Sequence, residues 1–501
     1  MPRATNRDAA EAGTRPHGLA AALRRVPGPA WVVLLWAAMC LPNAGALGLR
    51  LEEGRRALQA RAMLDDGHWL QPMVCGQRYT NKPPMLPWLI AASSRLTGGL
   101  NEWAVRLPSL LATLGAGLLV YAVTRGAAGR AAGVFASAAF FLTPLMLEKQ
   151  RLGETDALVV FASFAAFAIW RAASLRGGPG LAAWAACGAV LGFGAMAKGP
   201  PVAMFFAAGV AALAIRDRRL RDLWGLALCV AISLAGVGCW ALAVRQPGDA
   251  GNWAREILRS QPFDLPGYAL NQATYLGGVI GGCLPWLVLA APALVPRWRR
   301  KLGLDGGLAA PLAAYALAAA VLLAAYPNAK PRYALPMTPA VAVAAGLTFG
   351  WLMERRRGLA KVAAVAAALI AVARVVTLAA LPSLEGDSHS KQTAAVLAAI
   401  LPEGQVTKVS SGDYNVVFYL GRPVAELTLS QFAARGTGGT LLMNPRKAWG
   451  DAAATPGLRL RTIGDVPHGR KDRFIVAEGT VVSGSSPSNI GEGGQPGPRT
   501  P

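Results

Sequence analysis

Charge is scarce in this chain. Only 15% of its 501 residues are Asp, Glu, Lys or Arg, where a soluble globular domain carries about 25%, and the acidic sign is the rarer, with 27 residues against 50 basic ones. There are four histidines and six cysteines. Without a Cys-x-x-Cys spacing, neither a zinc centre nor a disulfide framework is indicated, and no metal ligand set is expected. Cys40, Cys187, Cys229, Cys239 and Cys283 lie inside apolar runs, which leaves Cys75 alone in a polar segment. What fills the chain instead is apolar: 53% hydrophobic residues and a mean hydropathy of +0.36. They are gathered into Ala/Leu/Val-rich runs of about 20 residues, the length a helix needs to cross a bilayer. Disorder, a collagen-like fibre and a disulfide-rich module are excluded for the bulk of the chain. The net charge of +23 suggests nucleic acid only until the Arg clusters are placed. They fall in short turns between apolar runs and act as topology signals, so no nucleic-acid partner is expected.

A basic leader over residues 1–28, with Arg3, Arg7, Arg15, Arg24 and Arg25, precedes a first run from Pro29 to Leu49. Basic residues before a first span hold that end in the cytoplasm. Ala44-Gly45-Ala46 has the form of a signal-peptidase site, but the long leader and the continuation of the run past it favour an uncleaved anchor. Ten further runs follow, near 103–124, 131–147, 157–172, 181–196, 201–215, 223–244, 274–295, 308–326, 333–352 and 359–380. Eleven spans with an inside N-terminus put every second turn in the cytoplasm. Those turns hold Arg125 and Arg130; Arg171 and Arg176; Arg216, Arg218, Arg219 and Arg221; Arg297, Arg299, Arg300 and Lys301; and Arg355, Arg356, Arg357 and Lys361. Only Asp217, Asp222, Asp305 and Glu354 oppose them. The spans near 181–196 and 201–215 are short and meet at a Lys-Gly-Pro-Pro turn, which allows a broken or re-entrant pair.

The expected fold is thus a polytopic α-helical membrane protein of about eleven transmembrane helices with a small C-terminal α/β domain in the periplasm. Its membrane domain covers 29–382 and carries a polar loop over 50–102. The α/β domain covers 383–482, with helices at Ser390–Leu401, Ser430–Ala434 and Arg446–Ala454. Strands are predicted at Val406–Val409, Val416–Leu420, Thr440–Met443, Leu458–Ile463 and Phe474–Glu478. Residues 483–501, rich in Gly, Ser and Pro, read as a disordered tail.

The chemistry-bearing residues fall in the outer loops. The first loop opens on Leu51-Glu52-Glu53-Gly54-Arg55-Arg56, whose plainer interpretation is an amphipathic interfacial helix. It continues through Gly67-His68-Trp69-Leu70-Gln71-Pro72 and Tyr79-Thr80-Asn81-Lys82-Pro83-Pro84, where two prolines fix the backbone after Lys82. The second outer loop, Arg151-Leu152-Gly153-Glu154-Thr155-Asp156, places another carboxylate at a span end, where an unpaired charge costs about 2.5 to 3.5 kcal/mol on insertion scales. Lys198, and Lys330 with Arg332 and Tyr333, meet the same face. Mutual salt bridges anchoring helix ends are one interpretation. The other is a carboxylate base beside an anion-binding group of cations, suited to attack by a hydroxyl with departure of a phosphate-linked leaving group.

Glu52-Glu53-Gly54-Arg55, Met63 to Trp69, Tyr79, Lys82-Pro83-Pro84, Trp88, Arg106, the 151–156 loop, Ala197-Lys198-Gly199-Pro200 and Arg332 to Pro336 together resemble the glycosyltransferase 39 and aminoarabinose-transferase-like group. These are C-superfamily glycosyltransferases related to protein O-mannosyltransferases, and the resemblance runs from about residue 30 to 350. It implies inverting transfer of a sugar from a polyprenyl-phosphate carrier to an acceptor hydroxyl at the periplasmic face of the bacterial inner membrane. The acceptor is left open among lipid A or lipopolysaccharide, another lipid and a protein. It also implies that Glu52 is the catalytic base, at a place where family members usually carry Asp, with Glu53 in support. Asp156 matches the second acidic position and orients the acceptor or other site residues. Arg55, Lys82 and Arg332 match cations that hold the donor phosphate, Lys198 is a fourth, and Tyr79, Tyr333 and Lys330 support them. No nucleotide and no obligatory metal are needed. Asn81 stands where the aminoarabinose branch often has an acidic residue, which weakens both a metal site and 4-amino-arabinose as donor.

Two rivals remain. A lipid or sugar-lipid flippase is also polytopic and cationic near a headgroup, but it favours mid-span ionisable residues and inverted repeats. A sugar-lipid binder that has lost turnover is compatible with Glu52 in place of Asp.

Overall fold

The computed structural model describes residues 26–247, 264–304, 307–385, 389–404, 406–409, 414–435, 438–443, 455, 458–468 and 472–481. The basic leader up to Arg25, most of the 245–273 loop, Asp305, the helix expected at Arg446–Ala454 and the Gly/Ser/Pro tail lie outside these residues. The chain divides into two compact units.

The first unit comprises Met1–Ala44 and Arg106–Ala380 and is helical. Every apolar run of the sequence within it forms helix. Among the described residues, six helices are long and apolar enough to cross a membrane: Glu102–Phe141, Asp156–Ser174, Leu181–Lys198, Arg221–Val244, Pro331–Arg355 and Arg357–Leu381. The pair Leu265–Cys283 and Trp286–Leu294 is bent by 98°, the geometry of a broken span or a re-entrant loop, while Gly28–Cys40, Pro200–Arg216 and Ala309–Ala324 are shorter. The chain is a multi-pass membrane protein. The runs near 103–124 and 131–147 share one long helix interrupted at Gly129, whose φ of 83° suits a residue without a Cβ. The arms fold back on each other there, since the Ser137 hydroxyl donates to the Gly117 carbonyl at 2.9 Å.

The first run is shorter than the sequence suggests. Its helix stops at Cys40 rather than reaching Leu49, because Pro42 lacks an amide donor and Asn43 sits at φ 58°. At 1.5 Å per residue it is about 20 Å long, short of a ~30 Å hydrocarbon core. Thr338–Arg355 is the buried centre of the unit, with every residue from Thr338 to Gly350 inside. Phe349 on this helix stacks on Phe135 with ring centroids 4.0 Å apart. By contrast, Arg357–Leu381 is 11% buried and turns Leu359, Val362, Val365, Leu369, Val372 and Val376 outward, as a helix facing lipid does.

The second unit comprises Gly45–Val105 and Leu381–Pro501. It joins the first polar loop, which the sequence groups with the spans, to the C-terminal segment. The loop supplies the helices Glu53–Asp66 and Met85–Leu96 and a hairpin of β1 (Met73–Val74) and β2 (Gln77–Arg78). Cys75 and Gly76 make the hairpin turn, both with positive φ. The C-terminal segment forms a five-stranded sheet in the order β4-β3-β5-β7-β6. In it, β3 (Val406–Val409) lies parallel to β4 (Val424–Leu427) and β5 (Gly439–Met443), and β7 (Asp472–Val481) runs antiparallel to β5 and β6 (Leu458–His468). The helices His389–Ile400 and Leu429–Ala434 lie where the sequence predicts them.

One predicted strand is corrected. Residues 416–420 belong to the helix Tyr414–Leu420, and β4, which the sequence reading lacks, follows it. Parallel neighbours β3 and β4 need a crossover rather than a hairpin, and that demand overrides the strand preference of Val416, Val417, Phe418 and Tyr419. The hairpin turn docks on the free edge of β4, where the Glu426 amide donates to the Cys75 carbonyl at 2.8 Å.

Candidate active site

In the second unit, Leu51 ends the incoming chain in a left-handed conformation, φ 49°, and Glu52 stands at the N-cap position of the helix Glu53–Asp66 without a side-chain capping bond. The two adjacent carboxylates then diverge. Glu53 is fully buried and its Oε2 accepts the Arg50 amide at 2.9 Å, closing the turn. Glu52 remains 37% exposed and pairs with Arg55 one turn on, Nη1 to Oε2 at 2.6 Å; Arg56 Nη2 stands 3.8 Å from the same oxygen. Two aromatic rings receive these cations. The Arg55 guanidinium lies 5.7 Å from the Tyr79 ring and 4.6 Å from that of Tyr414, and Arg56 lies 5.2 Å from Tyr79 and donates to its hydroxyl at 3.3 Å. Burial pushes the Arg55 guanidinium down, but Glu52, Tyr79 and Tyr414 more than offset this and hold it above its ordinary value. It stays cationic.

Behind Tyr414 lies a second polar group. The Tyr414 hydroxyl donates to Glu426 Oε2 at 2.9 Å, the buried Lys408 ammonium reaches Glu426 Oε1 at 3.2 Å, and the same ammonium sits 4.4 Å from the Tyr414 ring. Burial lowers the Lys408 ammonium, against the pull of Glu426, and raises the Cys75 thiol to about 12. That thiol is no thiolate nucleophile at neutral pH. Lys82 is half-buried ahead of Pro83 and Pro84, immediately before the helix Met85–Leu96.

In the first unit the charges lie at helix ends. Asp156 begins the helix Asp156–Ser174 and Lys198 ends the helix Leu181–Lys198, so each charge also complements the dipole of its own helix. They form a short ion pair in which the Asp156 side chain is 7% exposed and that of Lys198 25%. Lys198 and Arg332 each lie 5.8 Å from the ring of Tyr333. Lys330 and Arg332 are exposed, and neither has a carboxylate partner among the described residues. Two residues before Asp156, Glu154 pairs with Lys149 at 2.7 Å, both buried. Burial and the nearby Asp156 keep the Glu154 carboxyl above the usual range despite Lys149.

The structure therefore brings Glu52, Arg55 and Tyr79 together in one unit and Asp156, Lys198, Arg332 and Tyr333 together in the other. Glu53 is committed to backbone support. Sequence reasoning missed Tyr414, Asn415, Lys408, Glu426 and Lys149. Among the described residues, no group of three or more His, Cys, Asp or Glu is placed to hold a metal ion.

A family model described as dolichyl-phosphate-mannose-protein mannosyltransferase matches residues 81–241. The undecaprenyl phosphate-alpha-4-amino-4-deoxy-L-arabinose arabinosyl transferase 1 of Pseudomonas fluorescens is 28% identical over 314 residues, covering 59% of this chain and 55% of that protein. The corresponding transferase 1 of Sodalis glossinidius is 30% identical over 270 residues, 52% and 48% of the two chains. The chain spans about half the length of the curated relatives it matches. Among solved structures, ArnT from Cupriavidus metallidurans bound to undecaprenyl phosphate aligns with a TM-score of 0.68 at 18% identity, covering 92% of this chain and 98% of that one. The apo oligosaccharyltransferase of Archaeoglobus fulgidus aligns at 0.51 and 13% identity, covering 81% and 65%. These likenesses show the fold, that of the ArnT and oligosaccharyltransferase structures, and bear out the resemblance to the glycosyltransferase 39 and aminoarabinose-transferase-like group.

Proposed function

We propose that the protein is an inverting glycosyltransferase that moves a pentose or hexose from a polyprenyl-phosphate carrier to an acceptor hydroxyl at the periplasmic face of the inner membrane. The observation that carries this is Glu52, a part-exposed carboxylate held within one helical turn of the Arg55 and Arg56 guanidiniums and the Tyr79 ring. A base and an anion site in such proximity serve one reaction. Glu52 takes the acceptor proton, the freed oxygen attacks the anomeric carbon from the face opposite the phosphate, and the carbon–oxygen bond to the carrier breaks. The electron pair leaves on polyprenyl phosphate, whose charge Arg55 and Lys82 neutralise. The family resemblance further assigns Arg332 and Lys198 as donor-phosphate cations, with Tyr79, Tyr333 and Lys330 in support and Asp156 orienting the acceptor or its neighbours. The scheme uses side-chain cations throughout and calls for no metal.

The name shared by the curated relatives supports undecaprenyl phosphate as the carrier. Lipid A or lipopolysaccharide, another lipid or a protein remain the acceptor classes. Eleven spans, a cytoplasmic N-terminus and a periplasmic C-terminal sheet complete the proposal, supported by the sixteen basic residues of alternate turns. The test supplies purified protein in lipid with polyprenyl-phosphate sugars and an envelope extract and follows released polyprenyl phosphate together with the mass of the product. Release coupled to one glycosylated product is expected. Movement of intact donor between leaflets without release would instead support the flippase, and donor binding without release an inactive binder.

A further inference from the structure

The Glu52–Arg55 turn is held from a point more than 350 residues further along the chain and within the same unit. Asn415 grips the turn on both sides: its Oδ1 accepts the Gly54 amide at 2.9 Å, and its Nδ2 donates to the Leu51 carbonyl at 3.2 Å. Glu52 and Glu53 lie between those two anchor points. Leu51 carries the left-handed φ of 49°, a conformation disfavoured for a residue with a Cβ, and the Asn415 bond to its carbonyl helps to hold it. The contact is tight because residue 54 is glycine. A Cβ there would stand 2.5 Å from the Asn415 amide nitrogen.

Tyr414 supports the second member of the pair. Its ring lies 4.6 Å from the Arg55 guanidinium and its hydroxyl donates to Glu426, itself tied to Lys408. Donation to a carboxylate enriches the ring in electrons and strengthens its hold on a cation. None of the four side chains is an acid, base or phosphate ligand in the proposed reaction.

The geometry points to Asn415 and Tyr414 as positioning residues for transfer: Asn415 sets the place of the Glu52 carboxylate, and Tyr414 sets the place of the Arg55 guanidinium. This rests on the proposed roles of Glu52 and Arg55. A shift of about 1 Å at a positioned group can cost 10²-fold in rate, so the two residues should affect different constants.

The test measures kcat and donor KM by polyprenyl phosphate release for the full chain carrying Asn415→Asp, Asn415→Ala, Tyr414→Phe or Tyr414→Leu, with wild type and Glu52→Gln alongside and thermal midpoints for all. Asn415→Asp keeps the acceptor for Gly54 and loses the donor to Leu51. Both Asn415 variants are expected to lower kcat about tenfold or more with donor KM unchanged. Tyr414→Leu is expected to raise donor KM roughly tenfold, and Tyr414→Phe, which keeps the ring, to restore most of it. Wild-type kcat and donor KM in the folded Asn415→Asp and Tyr414→Leu proteins, whatever their midpoints, would overturn the positioning roles while leaving the transferase standing. Equal donor KM in Tyr414→Phe and Tyr414→Leu would overturn the ring's role even if no Asn415 variant folds. Absent release by wild type, or full turnover by Glu52→Gln, would strike the underlying reaction instead.

Discussion

The two units carry their charges in opposite ways. In the membrane unit the two carboxylates of the 151–156 loop are enclosed: Asp156 and Glu154 are both buried and each has its own ammonium, Lys198 and Lys149. In the unit that joins the first loop to the C-terminal sheet, Glu52 stays open to its surroundings and its cations rest on aromatic rings. A closed pair holds helix ends. An open pair can exchange a proton and receive an anion. The difference is the reason for proposing the proton chemistry at Glu52 and an orienting role for Asp156.

The largest effect that would break this contrast belongs to the closed pair. Asp156→Asn leaves the Lys198 ammonium in its site without a counter-charge, and loss of one partner of a buried pair costs about 3 kcal/mol or more. A marked fall in the thermal midpoint is expected, with Asp156→Asn/Lys198→Met regaining most of it. An unchanged midpoint in the single variant would show that the pair is not a lock. Next comes Lys82→Ala, which in the proposed reaction removes one charge-assisted contact to the donor phosphate, worth about 1.5 kcal/mol. Donor affinity should fall roughly tenfold with the midpoint little changed, and unaltered affinity would remove Lys82 from the phosphate site.

The smallest effect sharpens the contrast through pH. The folded Glu154 carboxyl is raised by burial and by Asp156, so the folded state binds its proton more tightly than the unfolded one. The stability it contributes is complete below the ordinary carboxylate value of 4.5 and is lost as pH rises through the raised folded value. Across that window the thermal midpoint of Glu154→Gln should fall less with rising pH than that of wild type. Parallel curves for the two proteins would contradict the assignment.

What the sequence shows follows from range. Each apolar run became helix because a span is written in one continuous stretch, and the Gly129 break falls in the basic turn between two runs. Pro42 and Asn43, which end the first helix at Cys40, were visible but outweighed by the apolar residues around them. Residues 416–420 are strand-like in composition and helical in fact, since the need for a crossover is set by β3 and β4 rather than by the segment itself. The site divides in the same way. Glu52, Arg55 and Tyr79 stand close in the chain and were legible together. The Asn415 contact to Gly54 spans 361 positions and leaves no trace in local composition, so the residues that brace the turn emerge only from the fold.

The central claim is that Glu52 removes the acceptor proton in a carrier-dependent transfer. Its most direct test compares polyprenyl phosphate release by wild type, Glu52→Asp and Glu52→Gln at matched folded protein. Loss of general-base catalysis is worth about 10²- to 10⁴-fold. Glu52→Gln should lose release by that factor while keeping its thermal midpoint, and Glu52→Asp should retain turnover. Wild-type release by folded Glu52→Gln would contradict the claim.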